Sequence, residues 1–76
     1  MVKAYVLIVN EPGAEDSIIS NLSKISSITD AHGTFGSYDI IAEVSSENAE
    51  KLREDITWKI RKLPYIRATL TLMVLE

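Results

Sequence analysis

The chain has no cysteine, a single histidine, three glycines, two prolines and few aromatic side chains, 7% of 76 residues. Without cysteine there is neither a disulfide framework nor a thiolate metal site. A domain of this length buries only about 60% of the surface its unfolded chain exposes, so cohesion has to come from packing and assembly. No apolar run approaches the ~20 residues of a membrane span. Met1-Val2-Lys3 lacks the charged start and long apolar stretch of a secretory leader. A soluble, cytoplasmic protein with no membrane contact is therefore expected. Positive charge is also scarce: eight Lys and Arg against eleven Asp and Glu give a net charge of −3 and a pI near 5.0. That balance argues against direct nucleic-acid binding. Lys59, Arg61, Lys62 and Arg67 do cluster, but the first three fall where a helix should end and complement its dipole. No phosphate loop, nucleophile elbow or zinc motif is present, and His32 has no cysteine to partner it. Neither a catalytic residue nor a metal or cofactor is expected.

What the chain does have is apolar periodicity, with 46% hydrophobic residues. Val2 to Asn10 is nearly continuous apolar sequence and reads as a buried strand. Glu11-Pro12-Gly13 ends it. A helix is predicted over Ala14 to Ser26, with Glu15 and Asp16 in its first turn and Ile18, Ile19, Leu22 and Ile25 on one stripe. Ile28 to Thr34 reads as an edge strand and Tyr38 to Ser45 as a stronger one. Ser45 or Ser46 is a plausible cap for a second helix, Glu47 to Lys62. Its buried stripe is Ala49, Leu52, Ile56, Ile60 and Leu63, and Pro64 stops it. Ile66 to Leu75 is the last strand. The order strand-helix-strand-strand-helix-strand defines a single domain over residues 1–76. The architecture is an α+β, ferredoxin-like sandwich, a four-stranded antiparallel sheet with two helices on one face.

Strand alternation leaves Tyr5, Leu7, Val9, Ile41, Met73 and Leu75 on the sheet face without a helix, and an apolar patch of that kind marks an interface. Two sheets packed together would make a dimer. Trp58 lies about 180° from the centre of the second helix's apolar stripe, and is either an exposed accident or an anchor at a subunit contact.

The hairpin between the middle strands holds His32-Gly33-Thr34-Phe35-Gly36-Ser37-Tyr38-Asp39, with two of the three glycines. A glycine permits positive φ, and turn amides can face an anion such as a carboxylate. Asp39, on the uncovered face by strand parity, offers acceptors to an ammonium group. Together they complement the two charged ends of an amino acid. The same residues also suit a plain turn, with Gly36 serving the bend, Tyr38 in the core and Asp39 solvated. Asp39 and Glu43 share a strand face about 13 Å apart, too far for a glycosidase carboxylate pair.

In this order and spacing, Pro12-Gly13, Gly36-Ser37-Tyr38-Asp39, Leu63-Pro64, Thr69-Leu70-Thr71 and Val74-Leu75 make the chain resemble the ligand-binding (RAM) domain of the Lrp/AsnC family of transcription regulators. The resemblance covers nearly every residue. It implies a homo-oligomer: dimers joined through their sheets and assembled into tetramers, octamers, decamers or other rings. It also implies a small effector, typically an amino acid, bound in a cleft between dimers. Gly36, Tyr38 and Asp39 match the family's Gly-x-Tyr-Asp effector turn, with Thr34, Phe35 and Ser37 beside them. Leu72, Met73 and Val74 align with the strand segment that affects response. Family regulators carry an N-terminal helix-turn-helix, whereas this chain begins at the first strand. It thus resembles the stand-alone members, which act on DNA only through a DNA-binding partner of the family. Phe35 stands where many members have threonine, and a phenyl ring there would narrow the cleft.

The expected function is an oligomeric module that binds an amino acid or related metabolite. Two rivals remain at this level. One is a small dimeric enzyme of the cofactor-free monooxygenase type, using Tyr38, His32 and Trp58 around a cavity between helices and sheet. The other is a scaffold that binds nothing small.

Overall fold

The computed structural model describes residues 1–74. Strand β1, Val2–Asn10, runs through the centre of the sheet because both of its faces are apolar. Its even-numbered residues Ala4, Val6 and Ile8 have no exposed surface, and its odd-numbered ones are partly covered. Helix α1, Glu15–Leu22, is followed by β2, Ile28–Gly33, and β3, Ile40–Ser46. Helix α2, Ala49–Asp55, passes without a break into a π-helical turn, Ile56–Ile60, and β4, Ile66–Met73, closes the order. The sheet runs β2-β3-β1-β4 with every neighbouring pair antiparallel. Each helix therefore crosses over one intervening strand, giving the expected α+β, ferredoxin-like βαββαβ sandwich. Ile18 and Leu22 of α1, Leu52 of α2, and Ile56 and Ile60 of the π turn pack on Ala4, Val6, Ile8, Ile40, Ala42 and Val44.

Several boundaries differ from the sequence reading, each for a local reason. Helix α1 stops at Leu22, four residues short of Ser26. Lys24 N–H donates to Asn21 O and Ile25 N–H to Leu22 O, tighter i→i−3 bonds. These turns bring Ile25 and Ile28 back onto the core. Strand β3 starts at Ile40, because Thr34 closes the hairpin against Asp39 and leaves Tyr38 in the loop. The cap of α2 is Asn48, whose Oδ1 accepts Lys51 N–H at 2.8 Å. Ser45 and Ser46, the predicted caps, are β3 residues, and Ser46 is buried with no partner for its hydroxyl.

The largest correction concerns β4. Opposite residues on neighbouring strands share a face, and Met73 is opposite Ala4, on the helix side. Thr71 and Thr69 follow it there, opposite Val6 and Ile8. The open face instead receives Leu72 opposite Tyr5, Leu70 opposite Leu7, and Ala68 opposite Val9. A bulge at Arg67 causes this. Val9 pairs with Ala68 and Asn10 with Ile66, so Arg67 has no opposite residue. One inserted residue reverses the parity of a strand. Ile66 therefore packs on the core while Leu70 and Leu72 turn outward, 44% and 48% exposed. Leu75, also placed on that face from sequence, lies outside the described residues.

Candidate functional site

The hairpin turn sits at the end of the sheet where β1 finishes. Thr34 N–H donates to Asp39 O at 2.8 Å, and the Thr34 hydroxyl donates to Tyr38 O at 2.7 Å. Both bonds cross a loop whose tip is Gly36, with φ +122°. That conformation needs glycine. Asp39 N–H donates to Ile8 O, fixing the loop to the central strand.

Asp39 stands one residue outside β3, so strand parity does not govern its side chain. Its Oδ2 accepts the backbone N–H of Asn10 at 3.0 Å, taking a position in the ladder that a carbonyl would otherwise fill. Asn10 is 4% exposed, and its Nδ2 donates to Glu11 O at 2.7 Å and to Glu15 Oε1 at 2.8 Å. Two acceptors on one nitrogen fix the amide's orientation, which leaves the buried Oδ1 of Asn10 without a partner. The result is a chain of polar contacts from the hairpin through the end of β1 to the start of α1.

Beside this chain opens a cleft of about 390 Å³ lined by Glu15, Gly33, Thr34, Phe35 and Asp39. Its lining carries two carboxylates and no basic side chain. Sequence parity put Asp39 on the uncovered sheet face; the cleft it shares with Glu15 opens instead at the helix-side end of the sheet. Phe35 is among the residues lining this cleft, and its side chain is fully exposed in the single chain. Ser37 is exposed and Tyr38 half-buried, and neither lines the cleft.

Leu72, Met73 and Val74 are not brought to the hairpin. They lie on the far side of β1 from β3, and Met73 is level with Ala4. From there to the Ile8–Asn10 level is roughly 17 Å along the strand. Trp58, 61% exposed on the π turn, carries the Lys62 ammonium 4.5 Å from its ring centroid and lies in the layer opposite the open sheet face. On that open face His32 Nε2 is 2.9 Å from Asp30 Oδ2, and Lys3 Nζ is 3.2 Å from Glu43 Oε1. Among the described residues, no group of three or more His, Asp or Glu is placed to hold a metal ion. No helix there is long and apolar enough to cross a membrane.

Asn10 and Glu15 are the members of this site that sequence reasoning did not single out. The signal for Asn10 was present. It continues the even-numbered, fully buried set of β1, and a polar side chain at such a position needs partners.

The domain is thus a four-stranded ferredoxin-like sandwich with a Gly36-Ser37-Tyr38-Asp39 hairpin at one end of its sheet. The chain belongs to the Lrp/AsnC family: residues 3–76 match the Lrp/AsnC ligand binding domain. It is 29% identical over 73 residues to the HTH-type transcriptional regulator FL11 of Pyrococcus horikoshii, covering 96% of this chain and 48% of that one. The chain thus spans about half the length of the curated relatives it matches. Its fold is similar to the crystal structure of PHS023 from Pyrococcus horikoshii, with TM-score 0.93, 33% identity and coverage of 100% and 92% of the two chains. In fold alone it also resembles a Neisseria meningitidis regulator, NMB0573, solved as a complex with L-Met. That match has TM-score 0.87 and 9% identity, over 99% of this chain and 50% of the other.

Proposed function

We propose that this domain is the sensing part of a transcription-regulatory assembly and binds a small amino acid at the hairpin cleft. The observation that carries the reading is the pairing of Asp39 and Glu15 on one cleft with no cation to neutralise them. Asp39 uses Oδ2 for the Asn10 N–H, which leaves Oδ1 for an incoming ammonium group. Among the described residues, no acceptor takes the N–H groups of Phe35, Gly36, Ser37 or Tyr38. They are the donors for the ligand's carboxylate. The Neisseria regulator, about half of whose chain shares this fold, was solved as a complex with L-Met. Leu72, Met73 and Val74 are too far from this turn to act on it within one chain, so their part belongs to a second copy.

The open face supports self-association. Tyr5, Leu7, Val9 and Ile41 lie beside Leu70 and Leu72 there, with the Lys3–Glu43 and His32–Asp30 pairs at the margin. An apolar core with a charged margin suits a dimer contact. Trp58, on the other layer, serves a separate contact between dimers. DNA-linked action requires a partner of the family or further sequence bearing a DNA-binding domain.

The monooxygenase alternative needs an enclosed cavity between sheet and helices. Eleven apolar side chains, none more than 4% exposed, occupy that space, so nothing favours it.

Calorimetric titration with each of the twenty common amino acids tests the reading. Saturable heat is expected for at least one, weakened tenfold or more by Asp39→Asn and by Glu15→Gln. Asn at position 39 keeps an acceptor for Asn10 and removes only the charge. Absence of heat throughout, or affinity indifferent to both substitutions, overturns the proposal.

A further inference from the structure

A second cleft, remote from the hairpin, lies where the second helix meets the edge strand. It has a volume of about 290 Å³ and is lined by Arg53, Ile56, Thr57, Arg61, Thr71 and Met73. Arg53 and Arg61 are eight positions apart. On a regular α-helix, eight steps of ~100° would leave them about 80° apart around the axis. The π turn removes most of that offset. Arg61 N–H donates to Ile56 O, an i→i−5 bond, and such a turn advances only about 80° per residue. Both guanidinium groups therefore reach the same groove.

Neither has a carboxylate partner among the described residues, although the chain as a whole is acidic. Arg61 donates from Nε to Thr69 Oγ1 at 3.3 Å, which orients the group and leaves its two Nη atoms free to donate. Thr57 and Thr71 add hydroxyls. Ile56, 4% exposed, and Met73 form an apolar wall. π turns are frequent at functional sites, and here the turn has a specific effect on two cations.

We propose that this groove is an anion site for a small carboxylate bearing a short apolar chain, for which 4-methyl-2-oxopentanoate serves as the probe. The paired arginines match a carboxylate's fork geometry. The apolar wall accounts for the chain. The volume, at the low end for small-molecule sites, suits a short acid better than a nucleotide. The site is independent of the hairpin cleft, from which β1 and β3 separate it.

The test is calorimetry on the intact protein with 4-methyl-2-oxopentanoate, with 4-methylpentanamide and inorganic phosphate as comparison probes. Saturable binding of the oxo acid is expected, at least tenfold weaker in Arg53→Gln and in Arg61→Gln and unchanged in Asp39→Asn. The neutral amide should not bind. Circular dichroism of the arginine variants establishes that they fold, and these exposed positions should leave the spectrum unaltered. No binding, or binding indifferent to both arginines, overturns the site. Phosphate binding as tight as the oxo acid overturns the apolar specificity. If the arginine variants change the sedimenting mass while no probe binds, the carboxylate comes from a second copy and the small-molecule proposal fails.

Discussion

The carboxylate of Asp39 accepts the backbone N–H of Asn10 at 3.0 Å, and so joins the hairpin loop to the last residue of the central strand. This one bond gives Asp39 a structural task alongside the ligand-binding one proposed for it. The two can be separated by experiment.

Asp39→Ala removes the acceptor and leaves the N–H of the buried Asn10 without a partner, a loss of about 1–3 kcal/mol. Asp39→Asn keeps an acceptor oxygen and should cost less than about 1 kcal/mol. Urea denaturation followed by circular dichroism measures both. Equal losses would mean that the charge, and not the hydrogen bond, holds the turn.

Asn48 and Ser46 form a matched pair. Asn48→Ala removes the cap of α2 and should destabilise the domain by about 1 kcal/mol. Ser46→Ala removes a buried hydroxyl that has no partner, and should be neutral or stabilising. Midpoints of the same denaturation curves decide it. A larger loss from Ser46→Ala would restore serine as the cap.

Leu70 and Leu72 are exposed on the open sheet face. A carboxylate at the centre of an apolar contact is left unpaired and desolvated, which costs several kcal/mol. Leu70→Asp and Leu72→Asp should each convert an associated species to monomer in sedimentation equilibrium, with the circular dichroism spectrum retained. Met73→Asp, on the helix side of the same strand, should leave this contact intact. If Met73→Asp dissociates the protein and Leu70→Asp does not, the dimer face assigned here is wrong.

The strand order, both helices and nearly all of the core were legible in the chain, because period-2 and period-3.6 apolar patterns are local consequences of backbone geometry. Val2–Asn10 reads as a strand in sequence and is one in the structure. The stripe Leu52, Ile56 and Ile60 is buried as its spacing demands. The Gly36 turn was also visible, since glycine is the residue that its φ requires.

Tertiary structure decided what periodicity carries no record of. The bulge at Arg67 depends on pairing with β1, and that one unpaired residue moves Met73 to the helix side and Leu70 and Leu72 to the open face. The contacts of Asp39 depend on where the end of β1 and the start of α1 fall beside it, 29 and 24 residues away in sequence. The π turn, Ile56–Ile60, lies between Arg53 and Arg61, which line one groove. The sequence alone thus determined which residues are strand, helix and core. Contacts between residues distant in the chain decided which side chains meet at a site.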